Sequence, residues 1–183
     1  KRRVSRGLPI VTFVGYTNAG KSSLLNRLTK SNVAAGSRMF ETLDPTSRRL
    51  RVPKDRDVLL ADTVGFIRDL PSELVEAFQA TLEEIEMSVL ILHIVDSSDP
   101  EFGERVDAVT RILTGLKLED IPQIVVFNKS DLLSSAELVE LEKQSENLVV
   151  SARTGYGTDV LVNRIGKMLK DEKTRSSMLY SHS

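Results

Sequence analysis

Residues 15 to 22 read Gly15-Tyr16-Thr17-Asn18-Ala19-Gly20-Lys21-Ser22 and fit the pattern G-x-x-x-x-G-K-[ST] without a gap. Few short stretches constrain a chain as tightly. Glycine lets the backbone wrap closely around an anion, so that successive N–H groups converge as a nest of donors. Lys21 adds a point charge for the β- and γ-phosphates of a nucleotide, and the Ser22 hydroxyl is a ligand for Mg²⁺. The flanks agree with the motif. Ile10-Val11-Thr12-Phe13-Val14 is a short apolar run that predicts a buried strand. Leu24, Leu25 and Leu28 fall at helical spacing, so a helix from Ser22 to Leu28 turns its positive N-terminal end toward the loop.

Further runs alternate in the same way along the chain. Ser47 to Val52 predicts an edge strand, and Asp57 to Asp62 a buried one, joined as a hairpin over Pro53 to Arg56. Leu74, Phe78, Leu82 and Ile85 line one face of a helix that starts near Pro71. Val89 to Val95, Ile121 to Phe127 and Leu148 to Val150 predict three more strands. Between them, Asp99-Pro100-Glu101 opens a helix with an apolar stripe, and Ser134 with Glu137 forms a capping box for another. A final amphipathic helix covers residues 156 to 170. The fold class is therefore α/β: a mainly parallel six-stranded sheet flanked by helices, with ligands expected beyond the carboxyl ends of the strands.

The expected layout is a basic leader over residues 1–8, one domain over 9–170 and a disordered polar tail over 171–183. Residues 29 to 45 read as a polar connector, long enough to be functional. The sequence has no cysteine, which removes disulfides and thiolate metal sites. No secretory signal pattern opens it, and its longest apolar run is far below the ~20 residues that span a bilayer. These features point to a cytoplasmic protein with no membrane contact. Net charge is −1, so nothing draws the whole chain to nucleic acid. Local clusters differ: Arg38, Arg48, Arg49 and Arg51 lie in one stretch and are either phosphate contacts or solvated surface.

Four more segments turn a phosphate site into a guanine site. Asp62-Thr63-Val64-Gly65 supplies a strand-end carboxylate for Mg²⁺ and an N–H at Gly65 for a γ-phosphate. Asn128-Lys129-Ser130-Asp131 is more telling. The Asp131 carboxylate is able to accept from both the N1–H and the exocyclic amine of guanine, a donor pair that adenine lacks. The Lys129 stem packs over a base, and the Asn128 amide braces this loop against the phosphate loop. In Ser151-Ala152-Arg153, the Ala152 N–H is expected to face guanine O6.

This order resembles the Ras-like GTPase domains of the translation-factor class. The finer wording is similar to the HflX family of ribosome-associated GTPases: Gly15 to Ser22, Thr42-Leu43-Asp44-Pro45-Thr46-Ser47-Arg48-Arg49, Asp62 to Pro71, and Leu92-His93-Ile94-Val95-Asp96. The resemblance covers residues 9 to about 170. It implies that Phe40, Glu41, Thr42, Leu43 and Asp44 form switch I against the nucleotide, with Glu41 where the family usually has a small residue. Thr42 is implied as the switch threonine on Mg²⁺ and the γ-phosphate, while Thr46 offers an alternative hydroxyl. Lys21, Thr42 and Gly65 would then serve catalysis, and Ser22, Thr42 and Asp62 the metal. The resemblance also implies GTP hydrolysis coupled to binding and splitting at the large ribosomal subunit. Family members carry an N-terminal domain and a helical segment, so the expectation here is an isolated GTPase domain. Oligomeric state is left open.

The expected cofactors are GTP/GDP and Mg²⁺. Asn18 either braces its loop or places a carbonyl on K⁺, as in related GTPases. Phe66 stands where Ras has the glutamine that orients water, so intrinsic hydrolysis is expected to be slow, on the order of 10⁻⁴ s⁻¹. The alternative function is a guanine-nucleotide-dependent binding module with negligible hydrolysis. An ATPase or P-loop kinase is disfavoured by the Asp131 motif. Base reading gives the first prediction. Asp131→Asn loses several kcal/mol of GTP affinity, the scale of unpaired buried polar groups, and prefers xanthine nucleotide. Titration with both nucleotides checks this, and unchanged GTP affinity would contradict it.

Overall fold

In the computed structural model the described residues are 7–34, 47–54, 56–63, 83, 85–144 and 148–180. Six strands form one sheet: β1 (Ile10–Val14), β2 (Ser47–Val52), β3 (Arg56–Asp62), β4 (Leu90–Asp96), β5 (Gln123–Asn128) and β6 (Leu148–Val149). Their order across the sheet is β2-β3-β1-β4-β5-β6. Only the β2–β3 hairpin pairs antiparallel; the other neighbours are parallel. The central strand β1 is buried along its whole length, as its continuous apolar run requires in a doubly covered sheet.

Alternate residues of each strand face opposite layers. Val11 and Phe13 of β1, with Leu90, Leu92 and Ile94 of β4, pack beneath helix α1 (Lys21–Ala34) and helix α4 (Thr158–Tyr180), through Leu24, Leu28, Leu161 and Ile165. On the other face, Val14 and Ile91 meet Val109 and Leu113 of helix α2 (Phe102–Gly115). Val95, Phe127 and Val149 meet Leu141 of helix α3 (Ser135–Lys143). The capping box of α3 is formed in both directions: Ser134 Oγ accepts from the Glu137 N–H at 3.3 Å, and Glu137 accepts from the Ser134 N–H at 2.8 Å.

Three boundaries differ from the sequence reading. Helix α1 continues through Thr29, where a connector was expected. The Thr29 hydroxyl donates back to the Leu25 carbonyl at 2.9 Å, and no breaker intervenes before Gly36. Helix α4 has helical backbone to Tyr180, past the expected end at Lys170, since neither glycine nor proline occurs between them. Strand β5 begins only after Pro122, which has no N–H for the ladder. The apolar stripe from Leu74 to Leu82, and most of the leader, lie outside the described residues.

His93 sits in β4 on the α2 face and is 2% exposed. Burial pushes its imidazole down to about 4. The folded state thus holds a neutral ring, whereas the unfolded chain takes up a proton near 6.5. The stability this contributes is complete above about pH 6.5 and is lost as pH falls toward 4, by about 3 kcal/mol. Urea unfolding at both pH values should show this loss in the parent and a loss smaller by that amount in His93→Leu.

Candidate functional site

Parallel pairing brings the motif-bearing strand ends to one edge of the sheet. Phe13 pairs with Asp62, and Asp96 with Asn128. The phosphate loop leaves β1 at Gly15, whose φ of 150° and proximity to Ile94 exclude a side chain: a Cβ there would run into the Ile94 carbonyl. Asn18 holds a left-handed φ of 64°, and Gly20 one of 92°. A Cβ on Gly20 would strike the Asn128 side-chain amide. Lys21, 7% exposed, curls its ammonium onto the Gly15 and Tyr16 carbonyls at 3.2 and 2.9 Å. Burial pulls that ammonium below its usual range, and the Asp62 charge pushes the other way. On the flank of the loop, the Arg105 guanidinium of α2 stacks over the Tyr16 ring at 4.9 Å and pairs with Asp99. Thr17 and Asn18 line a cleft there with His93 and Asp96.

The metal-binding expectation rests on Ser22 and Asp62. Ser22 Oγ donates to Asp62 Oδ2 at 2.5 Å. Among the described residues, Asp62 Oδ1 is buried and has no hydrogen-bond partner. An orphaned carboxylate oxygen beside a hydroxyl is a donor set that suits a hard cation. Among the described residues, no group of three or more His, Cys, Asp or Glu is placed to hold a metal. Phosphate oxygens, water and a ligand such as Thr42 from outside the described residues would complete the shell around Mg²⁺. Thr63 anchors the strand end, donating to the Phe13 carbonyl at 2.6 Å.

Asn128 to Asp131 and Ser151 to Arg153 lie together beside the phosphate-loop motif. Asn128 is 1% exposed; its Nδ2 donates to the Ala19 carbonyl at 3.0 Å, bracing the two loops together. Its Oδ1 accepts from the Ala152 N–H, also at 3.0 Å. This bond gives the buried amide oxygen its partner. Asp131 Oδ1 accepts from the Ser151 hydroxyl at 2.6 Å, and Asp131 Oδ2 lies 3.6 Å from Arg153. Ser130 donates its N–H to the Val150 carbonyl at 3.1 Å. Lys129 has a left-handed φ of 67° and places its ammonium on Asp96 Oδ2 at 2.5 Å. Burial pushes the Asp96 carboxyl up, but bonds from Lys129 and Ser98 outweigh it and hold it below the carboxylate range. Phe40, Glu41, Thr42, Leu43, Asp44, Val64, Gly65 and Phe66 lie outside the described residues, as does Thr46.

Three contributors were missed by motif reading. Asp96 fixes Lys129, and Ser97 holds the Asn128 carbonyl through its N–H at 2.9 Å and its hydroxyl at 2.7 Å. Arg27 of α1 donates from Nε to the Ala152 carbonyl at 2.7 Å and from Nη2 to the Arg153 carbonyl. Asp96 closed one of the stretches that carry the family resemblance, with no role attached to it; for Arg27 there was no signal, its partners being 125 and 126 positions away.

A family model described as 50S ribosome-binding GTPase matches residues 10–129, which spans strands β1 to β5 and the site from Gly15 to Lys129. The chain belongs to that family. Its HflX character is carried by relatives. It is 42% identical over 182 residues to the GTPase HflX of Lacrimispora saccharolytica, covering 100% of this chain and 43% of that protein. It is 41% identical over 180 residues to the GTPase HflX of Escherichia coli, covering 96% of this chain and 42% of that one. The chain thus spans less than half the length of these relatives. Among solved structures, a GTP-binding protein from the hyperthermophilic archaeon Sulfolobus solfataricus in complex with GDP superposes with a TM-score of 0.69 at 26% identity, covering 89% of this chain and 53% of that one. The fold is that of P-loop GTPases, and the expected HflX-type GTPase domain is what these relatives show.

Proposed function

We propose that this HflX-type domain is a Mg²⁺-dependent GTP-hydrolysing switch whose target in the whole protein is the large ribosomal subunit. The observation that carries the reading is the Asn128 amide, which joins the Ala19 end of the phosphate loop to the Ala152 end of the base loop. Such a bed accepts a ligand with phosphates at one end and a base at the other. The backbone from Gly15 to Ser22 cradles the phosphates, and Lys21 exchanges its two carbonyl partners for β- and γ-oxygens. Asp131 reads guanine while Ser151 fixes its orientation; the Lys129 stem, tethered by Asp96, lies along the base. Ser22 and Asp62, with Thr42 from switch I, would hold Mg²⁺, which when bound would offset negative charge on the phosphates. Hydrolysis is direct attack of water on the γ-phosphorus with GDP as leaving group. The Lys21 ammonium stabilises charge building on the β–γ bridge, Gly65 donates to the γ-phosphate, and Phe66 offers no hydrogen bond to the water. The intrinsic rate is accordingly slow; K⁺ held by Asn18 would add positive charge, whereas an Asn18 that only braces its loop would add none.

The ribosome reading draws support from the family and from β2. Arg48, Arg49 and Arg51 are exposed on this edge strand, which follows directly on switch I. Phosphate contacts of this kind are strongly salt-dependent. Single-turnover hydrolysis and co-sedimentation with large subunits test the proposal. These 183 residues should cleave GTP on the order of 10⁻⁴ s⁻¹ alone. They should bind subunits weakly, more with a non-hydrolysable GTP analogue than with GDP, and lose that binding as salt rises. Absence of cleavage with or without ribosomes would favour the non-hydrolysing binding module. Salt-insensitive binding that ignores the nucleotide would contradict the switch.

A further inference from the structure

Helix α1 grows directly out of the phosphate loop, so whatever α1 grips is mechanically tied to the phosphates. Two turns along, the half-buried Arg27 grips the base loop. Its Nε donates to the Ala152 carbonyl at 2.7 Å, and its Nη2 to the Arg153 carbonyl. A guanidinium presents its donors in a rigid fork, so it holds two successive carbonyls in one orientation where an ammonium holds one. The Ala152 N–H is fastened from the opposite side by Asn128 Oδ1 at 3.0 Å.

The loop itself is already tight. The Gly155 N–H donates to the Ser151 carbonyl at 2.8 Å, the Ser151 N–H to the Tyr156 carbonyl at 3.0 Å, and the Thr154 N–H to Ser151 Oγ at 3.1 Å. These bonds tie residues 151 to 156 to one another. Ser151 in turn orients Asp131, so any shift of this loop reaches the residue that reads guanine.

We infer that Arg27 is a positioning residue that sets how long a guanine nucleotide stays bound, by locking the base loop to the helix that carries the phosphate site. The inference rests on the reading of the site as a guanine-nucleotide bed. Arg27 touches neither base nor phosphate in this account. Its loss therefore acts on escape of the nucleotide, since changes within one binding site alter dissociation more than association. Cleavage of nucleotide already bound depends on Lys21, Ser22 and Asp62, which Arg27 does not contact in the bonds above.

Stopped-flow release of a fluorescent GDP analogue separates these steps, with the parent, Arg27→Lys and Arg27→Ala compared. Dissociation should accelerate about tenfold in Arg27→Ala, the scale of one charge-assisted hydrogen bond. Arg27→Lys should fall between the two, because one ammonium replaces only part of the fork. Association, and single-turnover cleavage at saturating protein, should stay within about twofold of the parent. If Arg27→Ala does not fold, Arg27→Lys decides alone. Dissociation unchanged in the folded variants would overturn the inference, as would cleavage falling in step with affinity. A parent that takes up no GDP overturns the functional reading itself, and this inference with it.

Discussion

The side-chain amide of Asn128 is the interaction on which the rest of the site depends. It lies at the end of β5, almost wholly out of contact with water, and both of its ends are satisfied by backbone groups from other segments. Only an amide offers a donor and an acceptor in this geometry: aspartate would oppose the Ala19 carbonyl with a second oxygen, and leucine would orphan both partners. Gly20 belongs to the same device, since any side chain there would occupy the space of the amide nitrogen. A buried, fully satisfied polar link of this kind specifies one arrangement of its neighbours.

The sheet makes the link possible. β1, β3, β4 and β5 run parallel, and their register sets Asp62 beside Phe13 and Asn128 beside Asp96. Four segments far apart in sequence thereby bring the phosphate-loop motif, Asp62, Asp96 and Asn128 to the carboxyl end of the sheet. Layers on both faces then fix the strands: α1 and α4 on one side, α2 and α3 on the other. The antiparallel β2 is the outermost strand, with Arg48, Arg49 and Arg51 exposed and Arg49 paired with Asp57 at 3.5 Å.

What was legible from sequence was whatever is encoded locally. Gly15 to Ser22 carries its own geometry, Ser134 and Glu137 announce their cap, and the alternating apolar runs gave the six strands to within a residue or two. The long-range bonds were not legible. Arg27 looks like any solvated helix arginine until the fold brings the Ala152 carbonyl beside it. The bond from the Ala152 N–H to Asn128, 24 positions away, had no signal in the sequence either. Helix α1 ran past Thr29 because polar residues without a breaker extend a helix as readily as they form a connector once its apolar face is buried.

Hydrogen exchange on the nucleotide-free domain tests the central claim, that one buried amide makes the phosphate loop and the base loop a single unit. In Asn128→Ala, amides of residues 15–22 and of residues 150–155 should both exchange at least about tenfold faster than in the parent. Those of β1 and β4 should remain as protected as before. Faster exchange confined to one of the two loops, or in neither, would show that they are held independently and contradict the account.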